Sequence, residues 1–93
     1  MSVLREAAQG KGNFGLGSAT REQAGRIGRD WVGEGYKVSG NGNALISKDG
    51  LRQFRPPSAK ASSWADTGAQ ANYESRSVPE GQWQSNGHLN ITQ

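Results

Sequence analysis

The chain has 93 residues, a formal net charge of +3, 14 glycines and no cysteine. That length supports one small domain with a thin core, no disulfide can staple it, and no stretch approaches the roughly 20 apolar residues of a membrane-spanning helix. Only 32% of the residues are apolar, but three Trp, two Tyr and two Phe argue for a packed core rather than full disorder.

Charge is unevenly spread. Residues 1–60 hold ten of the eleven Lys and Arg against five of the eight acids, so the first two thirds is basic and the remainder slightly acidic. A basic surface of this kind suits a polyanion, nucleic acid first.

In chain order, MSVLREAAQ (residues 1–9) is too short and too polar for a signal peptide, so export is expected to depend on sequence outside this chain. Residues 1–17 are expected to form a flexible leader or a short helix, and residues 18–93 a single domain. Within the leader, GKGNFGLG (residues 10–17) carries four glycines in eight residues, a density that argues against regular structure. No Gly-Lys-Ser/Thr follows, so it is not a phosphate-cradling loop.

SATREQAGRIGRDWV (residues 18–32) reads as a helix. Thr20 and Gln23 fit a capping box, Ala24, Ile27, Gly28 and Trp31 recur at helical spacing, and Gly33 is placed to end the helix. Gly25 and Gly28 would let it lie close to a sheet. Short strands follow. Tyr36–Val38 and Ala44–Ser47 flank an Asn-Gly turn, and Leu51–Arg55 is expected to stop at Pro56-Pro57 because proline cannot extend a ladder. After a long loop over residues 58–69, QANYESR (70–76) alternates with Ala71, Tyr73 and Ser75 on one face and Gln70, Asn72, Glu74 and Arg76 on the other. HLNIT (88–92) alternates likewise, with Leu89 and Ile91 inward and His88, Asn90 and Thr92 outward. The expected fold is α+β, with one or two N-terminal helices packed on a twisted antiparallel sheet of about four or five strands.

If the two C-terminal strands pair, Asn72, Glu74 and Arg76 face His88, Asn90 and Thr92 on the open side of the sheet. Glu and His are suited to proton transfer near neutral pH, and Arg to stabilising a phosphorane. Such a set fits metal-free RNA cleavage by attack of a 2′-hydroxyl on the adjacent phosphate. Arg55 and Lys60 join Glu74, Arg76, His88 and Thr92 as catalytic candidates, while Lys48, Arg52, Asn72 and Trp64 are candidates for holding RNA. Arg52 and Arg55 are three apart, so on a regular strand they point to opposite faces and one of them is structural. His88 is the sole histidine, and a surface role for it stays open, as does a plain ion pair between Glu74 and Arg76. Trp83 either plugs the core or stacks on a base. One histidine, no cysteine and scattered acids give no metal-ligand spacing, and no cofactor is expected.

The runs SKDGLRQFRPPSAK, QANYESR and GQWQSNGHL, with GKGNFGLGSAT ahead of them, resemble the C-terminal toxin domain of bacterial adhesin-like exoproteins, the contact-dependent growth-inhibition toxins. The resemblance covers about residues 10 to 91. It implies a barnase-like fold, of the kind also found in tRNA-cleaving colicins and in RelE-like mRNA interferases. It further implies an endoribonuclease, attacking tRNA, delivered by a larger exoprotein and acting in the cytoplasm of a neighbouring bacterium. At home it would be neutralised by an acidic immunity protein; the domain itself would be a monomer that does not insert into membranes. Members use a strand Glu, Arg and His, types matched here by Glu74, Arg76 and His88; others manage with Lys and Arg, which draws in Arg55 and Lys60. The alternatives are a non-catalytic nucleic-acid-binding module and a structural domain at the end of an exoprotein.

Overall fold

The computed structural model describes residues 3–40, 42–59, 63 and 65–92. In chain order its elements are α1 (Val3–Gln9), β1 (Gly12–Ala19), α2 (Arg21–Val32), β2 (Lys37–Val38), β3 (Leu45–Ile46), β4 (Arg52–Ala59), β5 (Ala69–Ser75) and β6 (Ser85–Ile91). The fold is α+β. Its sheet has six strands in the order β1-β6-β5-β4-β3-β2, and it is mixed rather than purely antiparallel, because β1 runs parallel to β6.

Helix α2 starts at Arg21 rather than Ser18, since Ser18 and Ala19 belong to β1, and Thr20 is its cap. The Thr20 hydroxyl accepts from Gln23 N–H at 3.1 Å and the Gln23 side chain accepts from Thr20 N–H at 3.0 Å, closing the expected capping box. Gly33, at φ 74°, ends the helix and donates its N–H to Arg29 O. The buried face is Ala24, Gly28, Trp31 and Val32, with Ile27 half-buried beside it.

That face lies on the inward residues Phe54 of β4, Ala71 and Tyr73 of β5, and Leu89 and Ile91 of β6. Ala7 of α1 and Leu16 of β1 complete the core. Gly28 sets the approach: a β-carbon there would stand 2.4 Å from the Phe54 ring. Gly25 makes no such contact with the sheet; a β-carbon there would meet only the Arg29 side chain. Gly28→Ala is therefore expected to destabilise the protein by about 1–3 kcal/mol through overpacking. Thermal unfolding followed by circular dichroism would show it as a lower midpoint, and an unchanged midpoint would mean that α2 rides freely over Phe54.

Two expectations about the chain are corrected. The glycine-dense segment is neither leader nor loop over its length, because Gly12–Ala19 forms edge strand β1. Its backbone bonds to β6, Phe14 and Leu16 pack inward at period two, and a bulge between Gly15 and Ser18 places Gly17 at φ 88°. The diproline also fails to stop β4. Strand β3 pairs only with Gln53 and Phe54, so beyond Arg55 one side of β4 needs no N–H donors. A second bulge between Arg55 and Ser58 absorbs Pro56 and Pro57 while pairing with β5 resumes at Ser58.

Candidate active site on the open sheet face

With both helices on one face, the polar residues of β4, β5 and β6 are left on the other. Strand register sorts them into rows. Gln53, Glu74, Asn86 and Asn13 lie side by side across β4, β5, β6 and β1. The next row is Arg55, Asn72, His88 and Gly15; the third is Ser58, Gln70, Asn90 and Ser18. Glu74 and His88 are therefore diagonal neighbours on adjacent strands, about 7–8 Å apart between Cα atoms by sheet geometry. Gly15, opposite His88, presents no side chain to crowd the imidazole.

Glu74 is 6% exposed, and its carboxylate is held from β4. Gln53 Nε2 donates to Oε1 at 2.7 Å, and Arg55 forms an ion pair with Nε 3.0 Å from Oε1 and Nη2 3.4 Å from Oε2. The Arg55 Nε–H is not aligned with an acceptor despite that short separation, and the hydrogen bond between the two side chains runs from Nη2 to Oε2. Arg55 keeps 38% of its side chain exposed, and Glu74 faces it from the buried side.

His88 sits among amides. Gln70 Nε2 and Asn72 Nδ2 approach its Nδ1 at 2.8 and 3.1 Å, and Asn13 Oδ1 lies 2.9 Å from Nε2. As oriented, two amide nitrogens face Nδ1 and the Asn13 carbonyl faces Nε2, the arrangement that a neutral ring with its proton on Nε2 would satisfy. The Asn72 amide also donates to Asn86 Oδ1 at 2.9 Å and accepts from Gln70 Nε2 at 3.1 Å. Farther along, Asn90 donates to Ser18 Oγ and accepts from Thr67.

Beside Arg55 and Asn72 a cleft of about 520 Å³ opens at the β4 bulge, walled by Pro56, Pro57 and Ser58 and by Gly42 and Asn43 of the β2–β3 turn. It is large enough to admit a nucleotide and it adjoins the row that carries His88. Among the described residues no three His, Asp or Glu side chains gather as metal ligands.

Of the expected site residues, the structure brings Arg55, Asn72, Glu74 and His88 together. Arg76 belongs elsewhere: its guanidinium bonds Gly50 O at 2.8 Å and Gly81 O at 2.7 Å and lies 3.9 Å from the Trp83 ring centroid. It clamps two loops, and Trp83 is its platform. No ion pair joins it to Glu74, whose salt-bridge partner is Arg55. Arg52 is on the helix side, 4.2 Å above the Trp31 ring, so of the two arginines it is the structural one. Thr92 follows β6, exposed, with its N–H bonded to Ala19 O. Lys48 occupies the Ser47–Leu51 turn, distant in the fold from the amide network, with its stem against Gly35. Asp49 knits that turn, and its bonds from Ser47 Oγ and Leu51 N–H hold its carboxyl below the usual carboxylate range. Lys60 and Trp64 lie outside the described residues.

Sequence reasoning assigned no role to Gln53, Asn13 or Asn86, and it placed Gln70 on the polar face without a function. Alternation along β5 was signal enough for Gln70. Asn13 had none, since its neighbour His88 is 75 residues away and belongs to a parallel partner strand.

The site and fold define a small α+β domain with a polar, partly buried acid–guanidinium–imidazole face. Set beside protein-family models, curated proteins and solved structures, the chain matches none of them. No helix among the described residues is long and apolar enough to cross a membrane.

Proposed function

We propose that this protein is a metal-independent endoribonuclease of the barnase-like group, a toxin that cleaves RNA, tRNA foremost, inside a competing bacterium. The observation that carries the reading is the meeting of Arg55, Glu74 and His88 on adjacent strands of one open face, beside a cleft of nucleotide size. Helices confined to the opposite face support the barnase-like architecture, to which β1 adds a parallel edge strand.

In the proposed reaction the RNA phosphate enters above the row Arg55–Asn72–His88, with a flanking nucleotide in the proline-walled cleft. Glu74 accepts the proton of the 2′-hydroxyl, and the 2′-oxygen attacks phosphorus. Arg55, half exposed, turns part of its charge from Glu74 to the phosphorane oxygens. Protonated His88 gives its Nε2 proton to the departing 5′-oxygen, substrate having replaced Asn13 at that nitrogen. The products are a 2′,3′-cyclic phosphate and a 5′-hydroxyl, and DNA, lacking the nucleophile, is spared. A basic first two thirds favours capture by an acidic immunity protein through a complementary field.

A second reading is favoured by the satisfaction of both His88 nitrogens within the fold: the amide face would then bind RNA without cutting it. Incubation with total tRNA in EDTA, followed by end-group analysis, decides between them. Cleavage with cyclic-phosphate ends is the expected result. Gel retardation of intact RNA would replace the nuclease with the binding module.

A further inference from the structure

The surroundings of His88 contain an imbalance. Two amide nitrogens, of Gln70 and Asn72, converge on the single lone pair of Nδ1, while Gln70 Oε1 is buried without a hydrogen-bond partner among the described residues. Gln70 is 3% exposed, so that carbonyl is shielded from bulk solvent. Unpartnered buried acceptors are rare in folded proteins and call for a reason.

Rotating an amide by 180° exchanges its oxygen and nitrogen without moving the chain. Such a turn at Gln70 would put Oε1 where Nε2 now stands, 2.8 Å from Nδ1. With a neutral ring protonated on Nε2, that places oxygen against a lone pair and is unfavourable. With an imidazolium it supplies the acceptor that Nδ1–H requires. Asn72 and Asn86 can turn in the same sense: Asn72 Nδ2 then donates to Gln70 Oε1, Asn72 Oδ1 faces the ring, and Asn86 Nδ2 donates to Asn72 Oδ1. Asn13 Oδ1 accepts from Nε2–H in both states. The bonds along the chain of amides can thus run in either direction, Gln70 exchanging an unpartnered Oε1 for an unpartnered Nε2 as it turns, and the charge on His88 decides which direction is favoured.

We propose that Gln70 is a positioning residue for His88, its amide turning over to accept the Nδ1 proton when the ring becomes charged. This deepens the nuclease reading, and in that reaction rests on it, because it lets a 9% exposed histidine hold the proton it must deliver. Among the described residues, the charged groups on the rows beside His88 are Glu74 of β5 and Arg55 of β4, paired with each other, and β1 brings the neutral Asn13 against the ring.

The single histidine makes the test direct. Long-range ¹H–¹⁵N NMR of the intact protein reports the ring tautomer, and the Gln70 side-chain NH₂ signals report its amide. At high pH the ring should show Nε2–H with Nδ1 bare. As pH falls, Nδ1 should gain a proton and the Gln70 amide signals should move with the same midpoint. Gln70→Leu, which removes the acceptor, should lower the His88 midpoint by about one pH unit, and Gln70→Glu should raise it by at least as much, the effect of an adjacent carboxylate. Gln70 signals indifferent to the His88 titration in the wild-type protein, or a ring that stays neutral until the protein unfolds, overturn the proposal without need of a variant. None of these readouts requires RNA cleavage, so failure here and failure of the nuclease reading are told apart.

Discussion

His88→Ala is expected to lower RNA cleavage by at least about a hundredfold, and Arg55→Ala by a similar factor, the usual scale for losing a proton donor or a charge-stabilising group. The two losses should differ in character. Removing the imidazole abolishes protonation of the 5′-oxygen, so a substrate with a better leaving group should recover part of the rate in His88→Ala and little in Arg55→Ala. His88 is also buried among polar partners, and its loss leaves Asn13, Gln70 and Asn72 short of one contact each, at roughly 1–3 kcal/mol per unsatisfied group. Rates must therefore be compared at a temperature where circular dichroism shows both variants folded. Full activity in both folded variants would remove His88 and Arg55 from the reaction.

Their juxtaposition was partly legible in the sequence. Alternation in QANYESR and HLNIT was enough to put Asn72, Glu74 and His88 on one side of two paired strands, because a period of two has only one polar side to offer. The capping box and Gly33 fixed α2 for an equally local reason. What failed was whatever depended on a distant neighbour. A proline pair reads as a strand stop, yet β4 continues because β3 is only two residues long, a fact about the neighbouring strand. Glycine density hid β1, whose ladder partner is β6 at the far end of the chain; Phe14 and Leu16 two apart were its one local trace. Arg76 shows the limit of alternation itself. It sits one residue past the end of β5, and there the carbonyls of Gly50 and Gly81 decide where the guanidinium goes. The consequence for the chemistry is specific: Glu74 takes its guanidinium from the neighbouring strand, through Arg55, and not from its own.

The largest effect on stability is expected from Trp31→Ala, at about 3–5 kcal/mol. Trp31 is 2% exposed, meets Tyr73 edge-on at 6.5 Å between centroids, and is roofed by Arg52. Its indole N–H points between the strands, 3.1 Å from Gln53 O and 3.2 Å from Glu74 O. Those carbonyls belong to the two residues whose side chains form the carboxylate end of the site on the other face. Trp31 therefore joins helix, core and site through the thickness of the sheet, as Tyr73 does one residue earlier, donating its hydroxyl to Ala24 O from a position where burial pushes its pKa up and keeps the proton on. Against a total of about 5–15 kcal/mol for a domain, losing 3–5 leaves a small margin for 93 residues. Trp31→Phe should cost less overall while still removing the N–H, at about 1 kcal/mol for that bond beyond the lost ring area. Urea unfolding monitored by far-ultraviolet circular dichroism measures both. Because the N–H anchors the backbone beneath Glu74, the Phe variant should lose RNA cleavage out of proportion to its stability; a variant as active as wild type would mean that β4 and β5 hold the carboxylate in place without help from the helix.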